Sequence, residues 1–405
     1  MAEAGMAQAA PWLTILGIGE DGRAGLSPSA HTALDRAEFV LGPPRHLALL
    51  GPLTAKVLEW PVPFAAGIDL LLTLRGRSVV MLASGDPFWF GGGSSVIARL
   101  DRAEWVAHPA PSTFGLAAAR LGWALQDCAC LGLHAAPLMR LRPHLAPGRR
   151  ILVLLRDGAA VADLAAWLAA LGFGETDLHV LEALGGPRER VRVVRADHFA
   201  LHDVQHPVAV GLAVAGAGFA LPLGAGRPDM LFAADGQITK APVRALTLAA
   251  LAPRAGELLW DIGAGSGSIG IEWLLAHPAN RAVAVECDPL RASRARGNAL
   301  ALGADRLRVI TGRAPACLPD APLPDAVFIG GGLSAALLQV LWPRLRPGTR
   351  LVANAVTLES EALLATWHGQ VGGNLLRIEL ADAVPLGTRT GWKARYPVVQ
   401  WSVVR

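Results

Sequence analysis

The stretch Leu259–Glu272, reading L-W-D-I-G-A-G-S-G-S-I-G-I-E, constrains this chain more than any other. The apolar run Leu258, Leu259 and Trp260 predicts a strand that leads into Asp261. Gly263, Gly265 and Gly267 then alternate with the small residues Ala264 and Ser266, and an apolar helical pattern begins at Ile269. Glycine lets a backbone turn sharply and approach a ligand with no Cβ in the way. The helix N-terminus beyond supplies unpaired N–H groups. Strand, glycine turn and helix in direct succession belong to a doubly wound α/β domain, with its ligand at the carboxyl ends of the strands.

The spacing narrows the ligand. G-x-G-x-G differs from the dinucleotide fingerprint G-x-G-x-x-G and from the phosphate loop, which needs Gly-Lys-Ser/Thr. It suits a molecule with a nucleoside and a carboxylate but no phosphates, namely S-adenosylmethionine. The next strand, Ala282-Val283-Ala284-Val285, ends in Glu286, nineteen residues beyond Gly267. An acid there can hold a ribose diol through two hydrogen bonds.

A chain of 405 residues suggests two or three domains. The net charge of +4 is mild, arginines are scattered, lysines are few, and no block of like charge occurs. Such a pattern does not call for nucleic acid but fits a small polyanion in a basic cleft. The cysteines Cys128, Cys130, Cys287 and Cys317 form no C-x-x-C pair, which points to free thiols in a reducing cytoplasm. The N-terminal M-A-E-A-G-M-A-Q-A-A has no basic region and does not read as a secretory signal. Pro207–Gly226 carries no charge, yet its Gly and Pro content predicts a buried strand and linker rather than a membrane span. His198, His202 and His206 recur every fourth residue, but Pro207 follows and no H-E-x-x-H is present, so no metal is expected.

Along the chain, Leu13–Leu16 predicts a strand, followed by a helix capped by Ser27 with Pro28 in its first turn. Strands are expected at 37–42, 79–83 and 151–155, with a strand pair at 178–181 and 191–194. The alternation with helices implies α/β architecture with a parallel sheet. A third run starts near Pro228: a helix at 241–251, the glycine loop, strands at 307–310, 325–329 and 350–354, and a late antiparallel pair at 376–380 and 397–403.

At this point the motifs resemble known families. Residues 11–224 resemble the tetrapyrrole methylases, the two-lobed class III S-adenosylmethionine-dependent fold. The matching motifs are L-G-I-G-E-D-G (16–22), S-G-D-P-F (84–88), P-A-P-S-T-F (109–114) and L-G-G-P-R-E-R (184–190). Residues 228–405 resemble the Rossmann-like class I methyltransferases that methylate C15 of precorrin and decarboxylate an acetate. The matches there are G-Q-I-T-K-A-P-V-R (236–244), D-I-G-A-G-S-G-S (261–268), G-R-A-P-A-C-L (312–318) and V-F-I-G-G-G (327–332). The fused order resembles that of the precorrin-6Y C5,15-methyltransferases (decarboxylating) of cobalamin biosynthesis. The resemblance implies methylation at C5 and C15, decarboxylation of the C12 acetate, and two S-adenosylmethionine sites, one per domain. It places the first cofactor against Gly17, Gly19, Ser84, Gly85, Asp86, Ser112 and Thr113. The second would touch Thr239, Gly263, Ala264, Gly265, Ser266, Gly267, Glu286 and Ala314. Glu20 stands where many tetrapyrrole methylases carry proline.

Methyl transfer to carbon asks mainly for alignment, since the sulfonium is already activated. The protein's cations are then expected to anchor substrate carboxylates. Lys240, Arg244 and Arg389 are the first candidates for that role in catalysis, with Lys393 and Arg395 beside them. The resemblance implies a small-molecule tetrapyrrole partner, with no membrane or nucleic acid, and a homo-oligomeric assembly is expected. Alternatives are a methyltransferase acting on RNA, DNA or another small molecule, and a non-catalytic S-adenosylmethionine sensor. Enzymes that methylate base amino groups usually carry D/N-P-P-F/Y after strand four, where this chain reads I-G-G-G.

Overall fold

A computed structural model describes residues 11–405; the N-terminal M-A-E-A-G-M-A-Q-A-A lies outside them. The chain divides into two units. The first comprises residues up to Ala136 and Ala146–Phe219, and the second Pro137–Leu145 with Ala220–Arg405.

In the first unit, strands β1 (Leu13–Ile18), β2 (Phe39–Gly42), β3 (Lys56–Glu59), β4 (Val79–Ser84) and β5 (Trp105–His108) form a sheet in the order β3-β2-β4-β1-β5. Every pairing in it is parallel. Helices α1 (Pro28–Asp35), α2 (Pro44–Leu50), α3 (Phe64–Leu72) and α4 (Gly93–Ile97) connect the strands. The apolar residues split by strand alternation. Leu16, Ile18, Val80 and Leu82 pack into one core, and Leu13, Ile15, Val79 and Met81 into another. Helix α1 starts where expected, with Ser27 Oγ accepting the Ala30 N–H.

The second sheet of this unit departs from the expected parallel arrangement. It follows α5 (Thr113–Leu121) and contains β6 (Cys128–Gly132), β7 (Arg150–Leu155), β8 (Asp177–Glu182), β9 (Arg190–Arg195) and β10 (Val208–Ala213), with α6 (Gly158–Ala170) between β7 and β8. The order is β6-β7-β10-β8-β9 and only β6 and β7 run parallel. The β8–β9 connection, Ala183–Glu189, is too short for the crossover that a parallel pair needs. Within 207–226 the chain makes β10 and then a loop, and among the described residues no helix is long and apolar enough to cross a membrane.

The second unit carries α7 (Ala241–Leu251), β11 (Leu258–Ile262), α8 (Ser268–Ala276), β12 (Arg281–Glu286), α9 (Pro289–Ala301), β13 (Arg308–Thr311), β14 (Ala326–Ile329), α10 (Ala335–Leu341), β15 (Arg350–Ala355), α11 (Leu358–Val371), β16 (Asn374–Ile378), β17 (Ala381–Leu386), β18 (Arg389–Ala394) and β19 (Val398–Val404). Its sheet runs β13-β12-β11-β14-β15-β19-β16, parallel through β15 and antiparallel beyond. Leu259, Ala284 and Phe328 face α7, α8 and α9 on one side, and Trp260, Val327 and Leu351 face α10 and α11 on the other. With both faces covered, β11 is buried at every position. The strand order reverses between β11 and β14, so a crevice opens outside their carboxyl ends. The hairpin β17–β18, inserted between β16 and β19, was not anticipated.

One buried ion network fixes the start of this unit. Glu272 on α8 is 1% exposed. Its carboxylate accepts the backbone N–H groups of Gly226 and Arg227 at 2.8 and 3.0 Å, Arg244 Nε at 2.6 Å and the Arg227 guanidinium at 3.4 Å. Arg244 also reaches Asp229 and the carbonyls of Thr239 and Arg227. Glu272→Gln leaves two buried guanidinium groups without their shared counter-charge. It is expected to lower the stability of the second unit by roughly 3–5 kcal/mol, read from urea unfolding of the full chain; a loss under about 1 kcal/mol would mean that water reaches the network.

Candidate active sites

Each unit holds its own cavity. That of the first unit, about 460 Å³, opens between its two sheets. Gly19, Ser84, Gly85 and Thr113 line it. Gly17, Asp86 and Ser112, grouped with them by the family resemblance, do not. Gly17 is backed directly by the Gly85 carbonyl, so a Cβ there would lie 2.0 Å from that oxygen. Ser112 is spent capping α5 through the Gly115 N–H, and Asp86 accepts the N–H of Phe88. These residues shape the loops around the cavity.

The polar floor of the first cavity escaped the sequence reading. Glu20 is nearly buried and pairs with both Arg45 and Arg188. Arg45 NH2 reaches Ser84 Oγ at 3.0 Å and His46 Nε2 at 2.7 Å, and His46 Nε2 lies 2.8 Å from Ser84 Oγ. Burial, and next the charge of Arg45, push the His46 imidazole down to about 3, so the ring is neutral at physiological pH. A neutral ring can accept from Arg45 at Nε2 only if its proton sits on Nδ1, which is buried without a partner. Two guanidinium groups around one carboxylate leave the floor with a surplus positive charge. Trp60, Phe64 and Phe90 give apolar wall above it. The signals available were Arg45-His46 at the start of α2 and the Glu20 substitution, but nothing in the sequence joined them. His206 lines this same cavity while His198 pairs with Asp197, and among the described residues no group of His, Cys, Asp and Glu is placed to hold a metal.

The cavity of the second unit is larger, about 1070 Å³, at the switch point of the seven-stranded sheet. It is lined by Thr239, Lys240, Gly263, Ala264, Gly265, Ser266, Glu286 and Ala314. The three glycines do different work. Gly263 has φ +69°, and a Cβ on it would lie 2.5 Å from the Gly331 backbone, so it lets two loops touch. Gly265, with φ +56°, faces open space, where a Cβ would meet only the Gln237 carbonyl at 3.8 Å. Gly267 lies outside the lining and packs on Ala295. Glu286 is 4% exposed and accepts the Gly265 N–H at 2.7 Å and the Asp288 N–H at 3.0 Å, which leaves acceptor capacity on both oxygens for a diol. Asn298 staples the entry segment to the glycine loop by bonding Ala233 and the Ser266 carbonyl. Arg291 and Arg294 clamp Asp235, whose carboxyl they and the Gln237 N–H hold down at about 2. That clamp fixes the segment carrying Gln237 and Thr239 to the cavity.

Two expected cations are elsewhere. Arg244 is 0% exposed, all three of its guanidinium nitrogens are engaged by Glu272, Asp229 and two carbonyls, and it lies outside the cavity lining. Helical spacing put it one turn from Lys240, but Lys240 is the residue before the helix, outside the face that Arg244 shares. Arg389 sits at the start of β18 opposite Leu386, exposed and away from the lining. Lys393 is likewise on the hairpin, whereas Arg395 lines the cavity, paired with Asp382 at 2.5 and 2.6 Å. Arg313 and Asn354 line it too, and the sequence reading named neither.

Two unlike cavities, one in a two-lobed sheet pair and one at the glycine loop of a doubly wound sheet, mark a fusion of two methyltransferase folds. Residues 13–200 match the family model of the tetrapyrrole (corrin/porphyrin) methylases, and residues 230–405 that of the precorrin methyltransferase domain. A precorrin-6Y C(5,15)-methyltransferase (decarboxylating) of a Sinorhizobium species is 51% identical over 97% of this chain and 96% of its own length. A cobalt-precorrin-6B C(15)-methyltransferase (decarboxylating) of Salmonella typhimurium strain LT2 is 32% identical over 40% of this chain and 85% of its own length. Among solved structures, the C-terminal domain of a precorrin-6Y C5,15-methyltransferase from Rhodobacter capsulatus is 56% identical, covering 46% of this chain and all of its own, with a TM-score of 0.44. The chain belongs to the family of precorrin-6Y C(5,15)-methyltransferases (decarboxylating).

Asp261, the penultimate residue of β11, gives the second unit a pH signature. It is fully buried: Oδ2 accepts the Gly270 N–H at 2.9 Å and Oδ1 has no partner. Burial raises its carboxyl to about 7, against the Gly270 hydrogen bond and with help from the Glu286 charge. The folded state therefore keeps a proton up to about pH 7 that the unfolded chain releases near 3.8. Folded protein binds more protons in that window, so stability falls as pH rises through it. Relative to Asp261→Asn, which keeps the acceptor for Gly270, the wild type is expected to lose up to roughly 4 kcal/mol between pH 4 and 7 and to run parallel above it. Urea midpoints of both proteins across that range measure the difference.

Proposed function

We propose that this chain methylates precorrin-6Y at C5 and C15 with S-adenosylmethionine and decarboxylates its C12 acetate, giving precorrin-8 in cobalamin biosynthesis. The first unit carries C5 methylation, and the second carries C15 methylation with decarboxylation. Each unit takes its own S-adenosylmethionine. The observation that carries this reading is the pair of complete cavities, one inside each unit, in a chain that matches its full-length relative over 97% of its residues. The C15-methylating relative, which spans only two-fifths of this chain, supports a division of labour between units.

S-adenosylmethionine supplies an activated methyl group, and the protein's part is to hold the acceptor carbon in line with it. In the second unit, Gly265 leaves space beside the loop, Glu286 offers acceptors for a ribose diol, and Thr239 and Ala314 close the sides. Lys240 and Arg313 are placed to meet substrate carboxylates, with Lys240 only loosely held by Asp229 at 3.9 Å. In the first unit Arg45 serves the same purpose. The apolar walls of both cavities suit a flat macrocycle.

The test uses the full chain, precorrin-6Y and S-adenosylmethionine. Glu286→Ala removes charge-assisted hydrogen bonds to the cofactor, at a cost of roughly 2–4 kcal/mol in affinity at the second site. C15 methylation and carbon dioxide release should fall together while C5 methylation, followed by product mass, persists. Equal loss of both methylations would overturn the assignment of one reaction to each unit.

A further inference from the structure

The cavity of the second unit contains one side chain whose orientation a buried network dictates. Thr247 on α7 is fully buried, and its hydroxyl donates to the Val243 carbonyl at 2.8 Å. With that hydrogen committed, Thr247 Oγ1 can only accept from its other neighbours. It takes Asn354 Nδ2 at 2.9 Å and Gln400 Nε2 at 3.0 Å. Gln400, 3% exposed, gives its other Nε2 hydrogen to Asn354 Oδ1 at 3.0 Å. Neither amide can be flipped, because a reversed amide would turn its carbonyl toward an oxygen with no hydrogen to give. Asn354 lines the cavity, and its second Nδ2 hydrogen is the donor that the network leaves for a ligand.

Beyond Thr247 and Gln400, the strand ends on the sheet edge that carries Asn354 present apolar residues to the cavity. Asn354 and Gln400 are cross-strand partners on β15 and β19, and Ile378 on β16 pairs with Val398 at the same end of the sheet. Val356, Ile378, Leu380 and Val398 all line the cavity. The network contains no charged group. The cation closest along the chain to Val398, Arg395, is already bound two-pronged to Asp382.

An oriented neutral donor in an apolar corner is suited to a carboxylate that must leave. In decarboxylation the bond from the methylene to the carboxylate carbon breaks, and its electron pair enters the conjugated macrocycle. Carbon dioxide departs, and the methylene takes a proton from water to become a methyl group. A guanidinium or ammonium paired with that carboxylate would stabilise the starting state and lose its partner as neutral carbon dioxide forms, which raises the barrier. An amide N–H fixes the group's direction while contributing far less to the starting state. Apolar walls disfavour the carboxylate further relative to the delocalised charge that follows.

We propose that Asn354 binds the acetate that is lost, donating its second Nδ2 hydrogen to a carboxylate oxygen. Thr247 and Gln400 act through it as positioning residues. This rests on the reading that the second unit decarboxylates precorrin-6Y. The full chain is compared with Asn354→Ala, Asn354→Asp and Gln400→Leu, following carbon dioxide released and methyl groups added per precorrin-6Y, together with thermal midpoint and S-adenosylmethionine binding. The ratio of carbon dioxide to C15 methyl is expected to fall about tenfold in Asn354→Ala. It should fall further in Asn354→Asp, whose charge repels the acetate, and less in Gln400→Leu, with cofactor binding unchanged. An unchanged ratio in Asn354→Ala, or methylation and carbon dioxide release falling in parallel, overturns the assignment to Asn354. Wild-type protein that methylates C15 without releasing carbon dioxide instead overturns the underlying reading of the unit.

Discussion

The second unit depends on one buried carboxylate. Glu272 accepts two backbone N–H groups and two guanidinium groups, and so binds together the entry segment at Gly226–Arg227, helix α7 through Arg244, and helix α8 behind the glycine loop. The same Arg244 takes the Thr239 carbonyl, which sets where the chain enters α7 and carries Thr239 and Lys240 to the cavity wall. A cation chosen as a substrate contact thus turns out to hold the contacts in place. The distinction has a physical origin: a guanidinium with five donors can satisfy several carbonyls and carboxylates at once, and burial makes each bond count.

The first unit has a comparable centre in Glu20. Its carboxylate joins the loop after β1 to Arg45 on α2 and to Arg188 in the β8–β9 connection, so it ties the two sheets at the cavity floor. Glu20 supplies the counter-charge for two arginines. Beside it the neutral His46 and Ser84 offer hydrogen-bonding groups without net charge, while two arginines around one carboxylate leave a positive field at the floor.

Charge also overrode hydrophobic alternation at the sheet edge. In β9, Arg190 and Arg192 turn inward to Glu182, which is 1% exposed, and Val191 and Val193 face solvent. A strand shifted by one residue would have buried the valines and left Glu182 alone in the core, at a cost larger than two exposed valines. The pattern R-V-R-V-V-R predicts a strand but not which face is buried, because the deciding partner lies on β8.

The class of each half was legible only through its resemblance to known families. The sequence by itself determined the glycine loop with its acidic partner Glu286 and most strands of both parallel sheets. These are local matters: backbone conformation at Gly265, apolar runs for strands covered on both faces, and a fixed count of residues from loop to acid. Tertiary structure alone decided which polar groups share a cavity. Glu20 with Arg188, Arg244 with Glu272, and Asn354 with Thr247 and Gln400 are each brought together from distant parts of the chain. Their roles follow from burial and from which hydrogens are already spent, and neither quantity exists until the chain has folded.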